Sequence, residues 1–168
     1  MRSLLQKRNW DELLKWYMDN RGAVRILTSL IYDDAPLIRW RAIEAFGVVS
    51  EELAKDDMES VRQTIRRFFW GMNDESGNLI RNAPEAIGEI LLKVPELIPE
   101  YGFVLASYLN EEPFESGVHQ ALARIIPQKP DFLTEIAERL CPSLEDDNPA
   151  IRGNAAFILK IVNADLLD

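Results

Sequence analysis

A chain of 168 residues that is 47% hydrophobic and 28% charged has the size and make-up of one folded domain, here residues 1–168, and excludes extended disorder. Its 19 basic against 28 acidic residues leave a net charge of -9, which opposes nucleic-acid phosphate wherever no local basic patch overrides it. Cys141 is the one cysteine and cannot close an internal disulfide, no apolar run reaches the about 18 residues that cross a bilayer, and MRSLLQKRNWDELL lacks a signal-peptide core, so the expectation is a cytoplasmic protein with no membrane association.

Leu4, Leu5, Trp10, Leu13, Leu14 and Tyr17 recur near helical spacing, so 3–19 reads as one helix or two short ones divided near Asn9 and ended by Asn20-Arg21-Gly22. Val24, Leu27, Leu30 and Ile31 stripe a helix over about 22–32. Asp33-Asp34-Ala35-Pro36 closes it and offers the next helix a cap and a first-turn proline. In that next helix Ile38, Ala42, Ala45, Phe46 and Val49 share one face, with small residues where a second helix can approach. Asp56 and Glu59 frame a start over about 57–72, whose buried side carries Val61, Ile65, Phe68, Phe69 and Met72.

The stretch Trp70–Ile90 departs from this pattern. Asn73 to Gly77 reads as a helix-ending turn, and Pro84 forbids one helix through the whole stretch. A fresh start with Asn82 as cap, Pro84 in the first turn and Glu85 three residues after the cap leaves 77–81 as an irregular insert. Beyond Pro95 and Pro99 a helix carries Phe103, Leu105, Ala106 and Leu109, and after Pro113 another carries Val118, Ala121, Leu122 and Ile125. A helix with Leu133, Ile136, Ala137 and Leu140 meets a kink at Pro142, and the last carries Ile151, Ala155, Ile158, Leu159 and Val162.

The turns repeat. Asp33, Ala42, Ala45 and Gly47 recur as Asp74, Ala83, Ala86 and Gly88 at a constant offset of 41, and Asp33, Pro36, Ile38, Arg39 and Ala42 recur as Asp146, Pro149, Ile151, Arg152 and Ala155 at 113. The third copy aligns Ala121 with Ala86 after deletion of one residue. Periods of this size with two helices each predict an all-α fold: an α-α superhelix of about four helix pairs behind an N-terminal helical cap. The motif Asp33…Ile38-Arg39…Ala42, repeated as Asp146…Ile151-Arg152…Ala155, resembles the HEAT-repeat (armadillo-like) family over about residues 22–165, and the central tracts resemble small prokaryotic HEAT-like proteins. The resemblance implies a scaffold for association, and arginines at 39 and 152 that pair with aspartates of their own or the adjacent repeat.

No cofactor or metal signature is present: phosphate-cradling glycine loop, zinc-protease helix and nucleophile elbow are all missing, and His119 and Cys141 each stand alone. The acidic turns at Asp33-Asp34, Asp74-Glu75 and Asp146-Asp147 read as helix caps. With Ile38, Ala42 and Phe46 inward, Trp40, Arg41 and Glu44 face away from the core. Equivalent positions add Arg81, Asn82, Glu85 and Glu89, then Gln120, Arg124 and Asn154, with Asn78 beside them on the insert. A mixed polar stripe with an aromatic anchor fits a protein or peptide partner better than nucleic acid. The expected hot spot joins Trp40 to Arg81, with Asp74-Glu75 behind. One alternative is a HEAT-like DNA-repair enzyme of the alkylpurine glycosylase kind, or a nucleotide-handling enzyme, using Arg62, Arg66, Arg81, Trp70 and Asp74. Another is an accessory factor for a cofactor-carrying enzyme.

Overall fold

The structure is a computed structural model and describes residues 1–75, 77–129 and 136–165, with side chains to 162. The helices run α1 Arg2–Lys7, α2 Trp10–Asp19, α3 Ala23–Leu30, α4 Pro36–Leu53, α5 Met58–Met72, α6 Ala83–Lys93, α7 Ile98–Ala106, α8 Glu115–Ile125, α9 Ala137–Leu140 and α10 Pro149–Asp165. Short 3-10 turns lie at 95–97, 126–128 and 141–145, and no strand occurs among the described residues. The break near Asn9 is real: Arg8 takes a left-handed conformation that ends α1, and the Asn9 side chain accepts from the Glu12 N–H to cap α2. Pro142 is the second residue of the 3-10 turn that follows α9, whereas the expected stripe residue Leu133 lies outside the described residues.

The second helices α4, α6, α8 and α10 pack successively on one another and form the spine of an α-solenoid. Helices α3, α5 and α7 flank that spine, and α1 and α2 close its N-terminal end against α4. Apolar side chains bury one continuous core from Leu5 to Val162. Within it Phe46 meets Phe68 edge-on at 4.9 Å, and Phe69 stacks against Tyr101 and Tyr108 at 6.3 and 6.1 Å. The spine is tight because its crossing points carry glycine. A Cβ on Gly47 would lie 2.6 Å from the Glu89 carbonyl oxygen, and one on Gly88 would lie 2.6 Å from the Ala121 Cβ.

The repeat offset of 113 holds in atomic detail. Asp33 Oδ1 accepts from the Ala35 N–H and Arg39 donates to the Asp33 carbonyl; Asp146 Oδ1 accepts from the Asn148 N–H and Arg152 donates to the Asp146 carbonyl. These are Asx turns clamped by an arginine, which corrects two expectations. The aspartates fold the turn ahead of the helix and do not cap it, and the arginines bind main-chain oxygen and not carboxylate. Asp33 spends its other oxygen on an ion pair with Arg2, tying the N-terminal cap to the first turn. The start of α5 is also shifted: Asp57 is the N-cap, accepting from the Ser60 N–H at 3.0 Å.

The insert is held by the preceding repeat. Asn82 occupies the N-cap position of α6, but its side chain makes no cap bond and donates instead to the Ile31 carbonyl at 2.6 Å. Tyr32 Oη reaches the Leu79 carbonyl, and Ile80 lies across Gly71. The irregular segment is thus a strut between α3, α5 and α6.

Candidate functional site

Three helices of the spine present one side chain pair each at i and i+4 to a common depression: Trp40 and Glu44 from α4, Glu85 and Glu89 from α6, Gln120 and Arg124 from α8. With Ile43 and Ala121 they line a pocket of about 270 Å³. Glu44, Glu85 and Gln120 stand in equivalent repeat positions, so the pocket follows from three copies of one register. Trp40 is 41% exposed and forms the aromatic wall.

The pocket's charges are unequally satisfied. Arg124 grips Glu89 with two bonds, Nε to Oε1 at 2.8 Å and a terminal nitrogen to Oε2 at 3.1 Å. Glu44 is paired with Arg8, which reaches over from the N-terminal cap, and with Arg41 at 2.6 Å. Glu85 has no such partner. Its Oε2 is sealed from solvent with no hydrogen bond, lodged against Gly117 of α8, where a Cβ would stand 2.6 Å away. Burial pushes the Glu85 carboxyl up to about 7, against the lowering pull of its own main-chain N–H and the Arg39 charge. Its expected capping-box role is replaced by this position between α6 and α8.

The remaining stripe residues are dispersed. Arg41 turns toward Glu44, leaving its Nε buried and without a hydrogen bond. Asn78, Arg81 and Asn82 lie on and after the insert and do not line the pocket, and Asn154 of α10 is also outside it. The structure therefore joins Trp40 to Glu85 and Arg124, and does not join it to Arg81 in the same depression. Sequence reasoning missed Ile43, Ala121 and Gly117, because their small or aliphatic side chains look like ordinary core.

The arginines weighed for a DNA-repair site are already engaged: Arg62 donates to Glu100 at 2.8 Å and Arg66 pairs with Glu59. Trp70 is 79% exposed and lines none of these depressions. His119 is buried, with Nδ1 2.7 Å from the Glu115 carbonyl and Nε2 2.9 Å from Ser143 Oγ, which fastens α8 to the 141–145 turn. Since a carbonyl can only accept, Nδ1 carries the proton toward Glu115. Cys141 is exposed and unpaired, and among the described residues no group of three metal-ligating side chains gathers and no helix is long and apolar enough to cross a membrane.

No protein-family model matches the chain. It is similar to an uncharacterised protein of Archaeoglobus fulgidus, 28% identical over 144 residues that cover 84% of this chain and 75% of that protein. Among solved structures, a designed armadillo repeat protein superposes with a TM-score of 0.47 at 17% identity, covering 96% of this chain and 93% of that one.

Proposed function

We propose that the protein is a cytoplasmic interaction module that holds an extended protein segment against its spine, with the Trp40–Glu85–Arg124 pocket as anchor. The observation that carries this reading is the Glu85 carboxyl, whose Oε2 is buried with no hydrogen bond and which has no ion-pair partner among the described residues, set in a pocket walled by a half-exposed tryptophan on three helices of the spine. Arg124 and Glu89 satisfy each other and Glu44 has two arginines, so the one charge the pocket lacks is a cation for Glu85. A lysine or arginine side chain supplies it, and its alkyl stem lies on the Trp40 ring. Arg41, Asn78, Arg81, Asn82 and Asn154 serve as outlying contacts where the segment runs along the stripe.

Selection of peptides from a displayed random library on the immobilised protein tests this. Selected peptides share a basic residue beside an apolar one, and Trp40→Ala with Glu85→Gln lowers their affinity by about tenfold or more, as loss of an aromatic anchor and a charged contact does. Peptides without a basic residue, or binding that survives both changes, overturn the reading.

A further inference from the structure

Between α3 and α5 lies a half-open cavity of about 560 Å³, twice the size of the spine pocket and within the size range of small-molecule sites. Its floor is apolar, made by Val24, Phe68 and Ile80. Its lining also includes Arg21, Arg25 and Arg67, and among the described residues no side-chain hydrogen bond or ion pair holds any of the three.

That lack of partners is unusual for this chain. Of the other ten arginines, Arg2, Arg8, Arg41, Arg62, Arg66 and Arg124 hold carboxylates, Arg39, Arg139 and Arg152 donate to main-chain carbonyls, and only Arg81 shares the lack among the described residues. Acidic residues outnumber basic ones by 28 to 19, so surface carboxylates are plentiful, yet none reaches these guanidinium groups. Thr28, Ser29 and Thr64 on the cavity wall satisfy their hydroxyls within their own helices and offer no anion. Arg21 comes from the turn before α3, Arg25 from α3 and Arg67 from α5, and all three line one apolar hollow. Three like charges around a low-dielectric floor repel one another, and the repulsion is relieved when an anion enters.

We propose that this cavity binds one small amphipathic anion, an apolar or aromatic body seated on Val24, Phe68 and Ile80 with a carboxylate, sulfonate or phosphate head held by Arg21, Arg25 and Arg67. Guanidinium forks bind such heads with paired charge-assisted bonds. The apolar floor distinguishes this occupant from an acidic peptide, which would use the charges and leave the floor empty. The site is separate from the spine pocket: the two share no lining residue.

The test uses two fluorescent probes with the same apolar body, 1-anilinonaphthalene-8-sulfonate, which is anionic, and N-phenyl-1-naphthylamine, which is neutral. The full chain is expected to bind the sulfonate at a single saturable site and more tightly than the amine. Arg25→Gln with Arg67→Gln, both exposed positions, should weaken the sulfonate by about tenfold and the amine by less than about twofold. Thr28→Trp, which fills the hollow, should abolish both. On the unaltered protein, added salt should weaken the sulfonate relative to the amine, a readout that does not depend on any variant folding. Equal affinity for the two probes, sulfonate binding that ignores the arginines or survives Thr28→Trp, or arginine-dependent binding of polyglutamate but not of the sulfonate, overturns the proposal.

Discussion

Glu85 shows how one side chain can be expensive when the site is empty and useful when it is filled. Its carboxyl is raised from 4.5 to about 7, chiefly by burial, so between those pH values the folded protein keeps a proton that the unfolded chain has released. The folded state binds more protons across that window, and stability therefore falls as pH rises through it. Two and a half units correspond to about 3 kcal/mol at most. Glu85→Gln has no proton to lose, so it should match the parent near pH 5 and exceed it in stability by about 1–3 kcal/mol at pH 8. Urea melts at the two pH values check this, and a difference that does not change with pH would show that Glu85 is not held in a desolvated site. A bound cation reverses the balance by favouring the ionised carboxyl, so capture of a basic segment should tighten as pH rises toward 7.

At the scale of helices, the close crossings of the spine decide how near its pockets can be to one another. Glycine in a helix interior ordinarily costs about 1 kcal/mol relative to alanine, so Gly88→Ala should stabilise if propensity alone mattered. The new methyl would stand 2.6 Å from the Ala121 Cβ and 2.8 Å from its Cα, and backbone cannot swing aside as a side chain can. Overpacking wins: Gly88→Ala is expected to lose about 1–3 kcal/mol, whereas Gly153→Ala on α10, with nothing within 4 Å, is expected to gain about 0.5–1 kcal/mol. Thermal melts of both variants separate the two effects, and a stabilising Gly88→Ala would mean that α6 and α8 are not in contact there. This element was legible in the sequence, because Gly47 and Gly88 recur at one offset among spaced alanines. So was the paired geometry of Asp33 with Arg39 and Asp146 with Arg152, although its chemistry was misread: a repeat shows that two turns are alike and not which oxygen the arginine binds. The Asn82 to Ile31 bond, across 51 residues, and the Glu85 to Gly117 contact left no such trace. The arginine cavity was hidden for a further reason. It arises where α3 and α5 fail to pack, and an absence of contact writes no periodicity into either stripe.

Over the whole molecule, the two depressions carry opposite character, carboxylates at the spine pocket and arginines between α3 and α5, on a chain whose net charge is -9. That arrangement bears on the nucleic-acid alternative. A duplex is bound through a track of cations matched to successive phosphates, and its affinity rests on the counterions those cations release. Arg62 and Arg66 would be the natural start of such a track, but Glu100 and Glu59 already neutralise them, and displacing those carboxylates gains little. Arg21, Arg25 and Arg67 are unneutralised but line one hollow and do not extend along a surface, so they suit a single anionic head. The long-range field of the excess carboxylates opposes a polyanion at every approach, while a small monoanion meets it only until it reaches the cavity. A fluorescent DNA duplex is therefore expected to show no change in anisotropy with micromolar protein at physiological salt, under conditions where the anionic naphthalene probe saturates. Salt-sensitive retention of the duplex, weakened by Arg62→Ala with Arg66→Ala, would instead place the functional surface on α5 and restore the repair-enzyme reading.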